Sequence, residues 1–334
     1  MNVGKALGII GVVIIHISAF SLGSSKEGSF IYILSLIINQ LSRFSVPLFV
    51  FFSGLGLALS YKREKGYLYF LRRRLGKVLP LYIFWGIVYL LIINKNYDFN
   101  SWWEAFMKGD KIFYHLYFMS MIIKLYIIFP ILYLCFKNIL GVFISLIISG
   151  GIITTGHYFN MPNLTLDFFS KRNILFWLFY FILGIYLSGN IANYIKSMKK
   201  HKKLFDFILL VCIICILWET FHSIKIGKSM DYSTTFIRPS IIIYSIIVTA
   251  FLFSRSFSQK TLKVLRKISN NSYVVYLAHP LVLYYYIILF KHFKWSIASI
   301  GFITGALCLC IFLPMIFGYI RLTFKIMINN EKNI

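Results

Sequence analysis

The stretch GKALGIIGVVIIHIS, at the start of this chain, places a lysine and a histidine eleven residues apart. Eleven residues at 100° each return to within about 20° of the starting direction, so on a helix Lys5 and His16 share one face. At about 1.5 Å per residue, His16 lies roughly 16 Å further along than Lys5. A run this apolar reads as a bilayer-crossing helix, with the histidine near mid-depth. An ionisable side chain there is costly and marks function by default. A neutral imidazole can take the proton of a hydroxyl, as a general base must. The alternative is a histidine that only hydrogen-bonds across a helix interface.

A second group is YLYFLRRRLGKVLPLY, residues 67–82. Arg72, Arg73, Arg74 and Lys77 stand beside Phe70, Leu71, Leu75 and Val78, as on a helix at the membrane–water boundary. Arg74 and Lys77, three apart, share a helix face. Guanidinium groups grip phosphate oxygens bidentately, so the group reads as a cradle for the phosphates of a coenzyme A donor. Attraction to anionic lipid explains the same charges without any donor.

The remaining polar residues are scattered. RFSVPLFVFFSGLGLALS puts Arg43 near the outer end of its span, with Ser53 and Gly54 ten residues on, where a small residue permits close helix approach. YHLYFMSMIIKLYIIFP carries His115 at the outer interface and Lys124 within a span, facing a polar cavity. NSYVVYLAHP strings Ser272, Tyr276 and His279 along one late span. Gly301 and Gly305 form a GxxxG pair that reads as helix packing. Cys212 and Cys215 form a CxxC with no second ligand pair nearby. With Cys135, Cys308 and Cys310 they read as buried thiols acting as small hydrophobes, not as a metal site. There is no GxSxG elbow and no Ser-His-Asp ordering. His157, His201, His222 and His292 fall in or beside loops, where solvation is the simpler reading.

These side chains need an all-α scaffold: a polytopic membrane bundle of about ten transmembrane helices. The expected spans are about 4–22, 32–60, 80–95, 116–136, 139–156, 173–189, 204–222, 237–254, 271–290 and 296–320. Pro47 predicts a kink or break in the long second span. Residues 66–79 and 100–108 read as interfacial amphipathic helices on opposite sides. Placing both termini in the cytoplasm leaves about twice as many Lys and Arg inside as outside. The inside set includes the 72–77 cluster, Lys196 to Lys203, Lys260 to Lys267, and Arg321, Lys325 and Lys332 in a tail over 321–334. The first apolar stretch has no small-residue cleavage site and reads as a span, not a signal peptide.

Composition agrees. Of 334 residues, 59% are hydrophobic and 13% charged, where a soluble chain carries roughly a quarter charged. One membrane domain over 1–334 with no soluble appendage is the expectation. The net charge of +25 would suggest nucleic acid in a soluble protein. Here it follows the membrane surface instead.

Taken in order, these stretches resemble the acyltransferase-3 family of integral membrane acyltransferases, in particular its short members that O-acetylate bacterial capsular and exopolysaccharides. Lys5 and His16 match a basic residue, ten residues, then a catalytic histidine. Arg43, Val46 to Phe49, and Ser53-Gly54 match an arginine, a VPLF turn and a serine-glycine pair. Arg74, Lys77 and Pro80 match two basic residues three apart before a proline. Tyr114 to Phe118 match YHL(W/Y)F, and Ser272, Tyr273, Tyr276, Leu277, His279 and Pro280 match SY..YL.HP. The matches run from residue 5 to residue 280. Family members often have arginine where Lys5 and Lys77 stand, and lysine lacks the bidentate fork. An aspartate commonly occupies the place of Asn2. The hydrolase-like C-terminal domain of longer members has no counterpart in these residues.

The resemblance implies a multi-pass protein of the bacterial plasma membrane that moves an acyl group, most often acetyl, from cytoplasmic acetyl-CoA to a hydroxyl of an extracytoplasmic polysaccharide or lipid-linked glycan. His16 would be the general base, or the carrier of a covalent acyl group. Lys5, Arg72, Arg73, Arg74 and Lys77 would hold the donor. Arg43, Ser53, His115, Lys124, Ser272 and His279 would support the site or its sugar-facing side. Two rival readings are an exporter or flippase, which also places ionisable groups within the membrane, and a non-catalytic subunit of a polysaccharide synthase.

Overall fold

The computed structural model describes residues 1–159 and 171–331, with side chains through 319. Lys332 and the end of the expected 321–334 tail lie outside the described residues. The α-helices in chain order are α1 (Asn2–Ser24), α2 (Phe30–Leu41), α3 (Ser45–Ser60), α4 (Tyr67–Val88), α5 (Phe99–Lys108), α6 (Tyr117–Phe136), α7 (Ile139–Tyr158), α8 (Leu178–Ser188), α9 (Ile191–Lys200), α10 (Lys202–Lys225), α11 (Met230–Thr234), α12 (Pro239–Ser254), α13 (Gln259–His292) and α14 (Ile300–Glu331). No strand occurs among the described residues. Nine helices or helix pairs there are long and apolar enough to cross a membrane, and one bent pair makes ten. In hydrocarbon every backbone polar group must be satisfied internally, which leaves the helix as the form these apolar runs take.

The chain divides into two compact units, Met1–Ser45 with Ser256–Ile334, and Val46–Arg255. In the first, α1 packs on α2, α13 and α14, and α13 packs on α14. Buried Gly4, Gly8 and Gly11 line one side of α1 and let a neighbour approach its backbone. At Gly11 a Cβ would overlap the Ser45 hydroxyl and come within 3.6 Å of the Ser42 carbonyl. Of the expected GxxxG pair, a Cβ on Gly305 would overlap the Tyr286 hydroxyl, while a Cβ on Gly301 would meet only Ser299, 4.0 Å away. The pair is therefore not a shared packing face; one glycine makes room for a tyrosine.

In the second unit, α4 packs on α6, α7 on α8, and α10 on α12. Helices α3 and α8 cross through reciprocal glycines. A Cβ on Gly54 would stand 3.0 Å from the Phe181 carbonyl carbon, and one on Gly184 would stand 2.7 Å from the Leu55 nitrogen. The close approach expected at Ser53-Gly54 is thus a backbone contact with α8.

Several boundaries differ from expectation. The second span breaks at Ser42–Phe44, before Pro47, which sits in the first turn of α3. A proline there loses no intrahelical bond. The expected interfacial helix at 66–79 and the span after it are one helix, α4, which carries Pro80 inside it and continues as a π-turn over Tyr89–Ile93. A break at that depth would strand backbone groups in hydrocarbon. The sixth expected span, 173–189, starts late: a 3-10 turn at Ile174–Phe176 precedes α8, which has eleven residues and meets α9 at 99° across Gly189 and Asn190. Lys196, Lys199 and Lys200 give α9 a charged face suited to the membrane surface. The basic run 260–267 is the start of α13, not a loop. Helix α5 forms as expected and leaves Phe99 and Trp103 exposed. Of the five thiols only Cys310 is buried; Cys212 is half-buried and the other three lie on outward helix faces. A thiol is apolar enough to face lipid, so burial in protein was not required.

Candidate functional site

In the first unit the imidazoles of His16 and His279 face one another, ring centroids 5.3 Å apart and planes 31° from parallel. His16, on α1, is half-buried. His279, on α13, is fully buried. The residue after His279 explains how its ring is held. Pro280 has no N–H, so the Tyr276 carbonyl, four residues back, loses its helical donor. Nδ1 of His279 lies 2.9 Å from that carbonyl and 2.9 Å from the carbonyl of Val275. Carbonyl oxygens only accept, so Nδ1 donates, and in the neutral ring Nε2 keeps the lone pair. A His-Pro pair inside a helix thereby fixes both ring orientation and tautomer. The Cys310 thiol of α14 reaches the His279 carbonyl at 3.5 Å.

Polar groups of α2 flank the same stretch of α1. The Asn39 amide donates to the Ile15 carbonyl at 3.1 Å and to the Ser18 hydroxyl at 2.9 Å, and Gln40 donates to Asn39 at 3.2 Å. Arg43 lies in the turn that follows. Because Ser42 and Ser45 pack on Gly11, this turn stands beside the middle of α1. That differs from its expected place near the outer end of the span, because the thirteen residues from Phe30 carry the chain roughly 20 Å inward. Ser272 gives its hydroxyl to the Ser269 carbonyl at 2.8 Å. It sits two turns before His279 on α13, about 10 Å away along the axis, so it supports the helix and not the ring pair. Lys5 is half-buried in the first turns of α1.

In the second unit the basic residues of α4 separate. Arg72, Arg73 and Lys77 are exposed, whereas Arg74 is half-buried and donates to the Ser60 hydroxyl at the end of α3. Tyr126 of α6 lies close to Ser53 and within electrostatic reach of Arg74. Ser53 and Ser60 are seven apart and so line one face of α3. Arg74 is thus tied to α3 and lies near α6, whereas Arg72, Arg73 and Lys77 are exposed.

His115 is 2% exposed and ringed by Tyr89, Phe113 and Tyr114, with centroids 5.4, 5.8 and 5.7 Å away. It is an interior residue, not an open outer surface. Lys124 lies within electrostatic reach of Asp110 and Arg172, and Arg172 pairs with Asp110 at 3.5 Å. Lys171 lies over the Tyr117 ring at 4.7 Å. Burial holds its ammonium below the ordinary lysine range, and Asp110 opposes that shift. Lys124 therefore belongs to a cation cluster around one carboxylate. Its acid partner is fourteen residues earlier in the chain, and Arg172 comes from a different segment again.

Sequence reasoning missed Asn39, Ser60 and Tyr126. The adjacent amides of IINQL, set in an apolar run, were a usable signal for Asn39. Tyr126 offered none, being one of 23 tyrosines.

A family model described as an acyltransferase domain, that of the acyltransferase-3 family, matches residues 1–319. Two similar relatives, from Staphylococcus aureus strains MSSA476 and MW2, are each named a probable poly-beta-1,6-N-acetyl-D-glucosamine export protein. Both are 25% identical over 262 residues, covering 75% of this chain and 72% of theirs. The relative from strain MRSA252 carries the same name and the same figures. No solved structure matches the chain.

Proposed function

Because the chain belongs to the acyltransferase-3 family of membrane acyltransferases, we propose that it moves an acetyl group from cytoplasmic acetyl-CoA to a hydroxyl of an extracytoplasmic or lipid-linked polysaccharide at a bacterial plasma membrane. The observation that carries this reading is the His16–His279 pair, two imidazoles in contact within membrane-spanning helices. An ionisable ring at that depth is costly and marks function by default.

In this reading His16 is the general base. The acceptor hydroxyl attacks the thioester carbonyl, a C–O bond forms and the C–S bond breaks. His16 takes the hydroxyl proton and returns it to the departing thiolate. His279 is a positioning residue: its ring, fixed by the two carbonyls, restricts the orientations open to His16. The donor's phosphates are assigned to the basic face of α4, where Arg74 is pre-set by Ser60 and Arg72, Arg73 and Lys77 are accessible. Lys5 lies eleven residues before His16 on the same helix. Arg43, beside the middle of α1, is assigned to the acceptor side.

The test is O-acetylation of surface polysaccharide in a strain carrying His16→Ala. General-base removal lowers transfer by about 10² to 10⁴, so acetylation is expected to vanish at normal protein level. Unchanged acetylation overturns the assignment.

The names of the relatives favour a second reading, export of the polysaccharide itself. The same strain separates the two. Transfer without export predicts polymer at the surface that lacks acetyl groups; export predicts polymer retained inside the cell.

A further inference from the structure

A second constellation, in the unit Val46–Arg255, has no part in the chemistry above. A cavity of about 460 Å³ is lined by His157, Tyr158, Lys228, Asp231, Tyr232 and Thr235, among others. It is built from the last turn of α7, the segment after α10, and α11. In the orientation that the charge bias predicts, these ends face outside the cell. Its volume lies in the range of small-molecule sites.

The wall is aromatic and organised. His157 stacks on Tyr232 at 4.2 Å with planes 16° apart, and Tyr158 meets His157 edge-on at 4.7 Å. Tyr158 is half exposed and donates its hydroxyl to Glu219 at 3.3 Å. The other Glu219 oxygen takes the Ser240 hydroxyl. Behind them Arg238, 1% exposed, lies 3.8 Å from Glu219 and donates to the Ser233 carbonyl and the Thr220 hydroxyl, both at 3.0 Å. Burying such a pair is weak evidence for stability, because desolvation offsets the attraction. Here its visible consequence is to hold a tyrosine at the rim of a cavity.

The chemistry of the lining selects the ligand. Among the described residues Lys228 and Asp231 balance one another, and Arg238 is matched by Glu219, so no excess charge there calls for a phosphate or a carboxylate. Aromatic faces beside exposed hydrogen-bonding groups suit a ring with an apolar C–H face and a hydroxylated edge. We propose that this cavity is a subsite for an uncharged pyranose stretch of the acceptor glycan, with a sugar face on Tyr158 and hydroxyls bonded to Asp231 and Lys228. The inference rests on the glycan-acceptor reading and adds where that acceptor is gripped.

The test is binding by the full chain in nanodiscs, measured calorimetrically with chitopentaose, cellopentaose and a galacturonate pentasaccharide, and with acetyl-CoA on the same sample. A neutral oligosaccharide is expected to bind. Tyr158→Ala and Asp231→Asn are each expected to weaken it about tenfold, ~1.4 kcal/mol, with acetyl-CoA affinity within about twofold. Should Tyr158→Ala fail to fold, Tyr158→Phe keeps the ring and loses only the Glu219 bond. Asp231 is exposed, so its variant tests the site whatever happens at Tyr158. Neutral sugars that do not bind, that bind the Asp231 variant as they bind the native chain, or that are outbound by galacturonate overturn the subsite. Loss of acetyl-CoA binding in the native chain strikes the transfer reading instead and leaves a tyrosine-dependent sugar site standing.

Discussion

The two histidines of the first unit and the Arg74 group of the second are both polar clusters in apolar surroundings, but they are held in different ways. His279 is fixed from within its own helix: one proline removes a donor, and the imidazole takes the carbonyl so released. Arg74 is set from outside its helix, by Ser60 of α3 and the nearby Tyr126 of α6. The first arrangement is rigid and local. The second depends on three helices keeping their places. Under the proposed function, the first design suits a ring that must hold its neighbour in one orientation, and the second suits a group that supplies charge and donors to a phosphate.

Substitutions test that contrast. The largest effect is expected for His279→Ala, which removes the ring that His16 rests against. Transfer rate in membranes is expected to fall by about 100-fold, with acetyl-CoA affinity within about twofold. A variant that loses donor affinity instead would make the pair a binding element and dissolve the contrast. Next is Pro280→Ala, which restores an N–H to the Tyr276 carbonyl and puts the backbone in competition with the imidazole. We expect turnover to drop about tenfold in a protein that still folds. Full activity there would mean that the freed carbonyl is not what positions the ring.

The smallest effects belong to the Arg74 group. Arg74→Lys keeps the charge and loses the fork, so KM for acetyl-CoA is expected to rise about fivefold with kcat nearly unchanged. Ser60→Ala removes only one acceptor and is expected to raise KM about twofold. A fall in kcat for either variant would place Arg74 among the reacting groups, and the two regions would then differ less than their construction suggests.

Much of this was legible beforehand, and the helix geometry says why. Lys5 and His16 lie on one helix, where eleven residues fix their common face. The apolar runs fixed an all-helical membrane fold, since nothing else in them could satisfy the backbone. Boundaries were less legible. The break before Pro47 and the bend after α8 are closed by local turn bonds, such as Ser45 N–H to the Ser42 carbonyl and Asn190 N–H to the Leu187 carbonyl, which apolar periodicity does not mark.

Composition and periodicity by themselves determined that this is a helical membrane protein with a histidine deep in its first span. They also marked out the basic stretch on what became α4. Only the tertiary structure decided that His279 faces His16, that Asn39 ties α2 to that part of α1, and that Arg74 parts company with Arg72 and Arg73. It also assembled the Tyr158 cavity from segments more than sixty residues apart. Helical spacing governs which side chains share a face of one helix. Which faces of different helices meet is set by glycine contacts and buried hydrogen bonds, and those are properties of pairs that no single stretch of sequence displays.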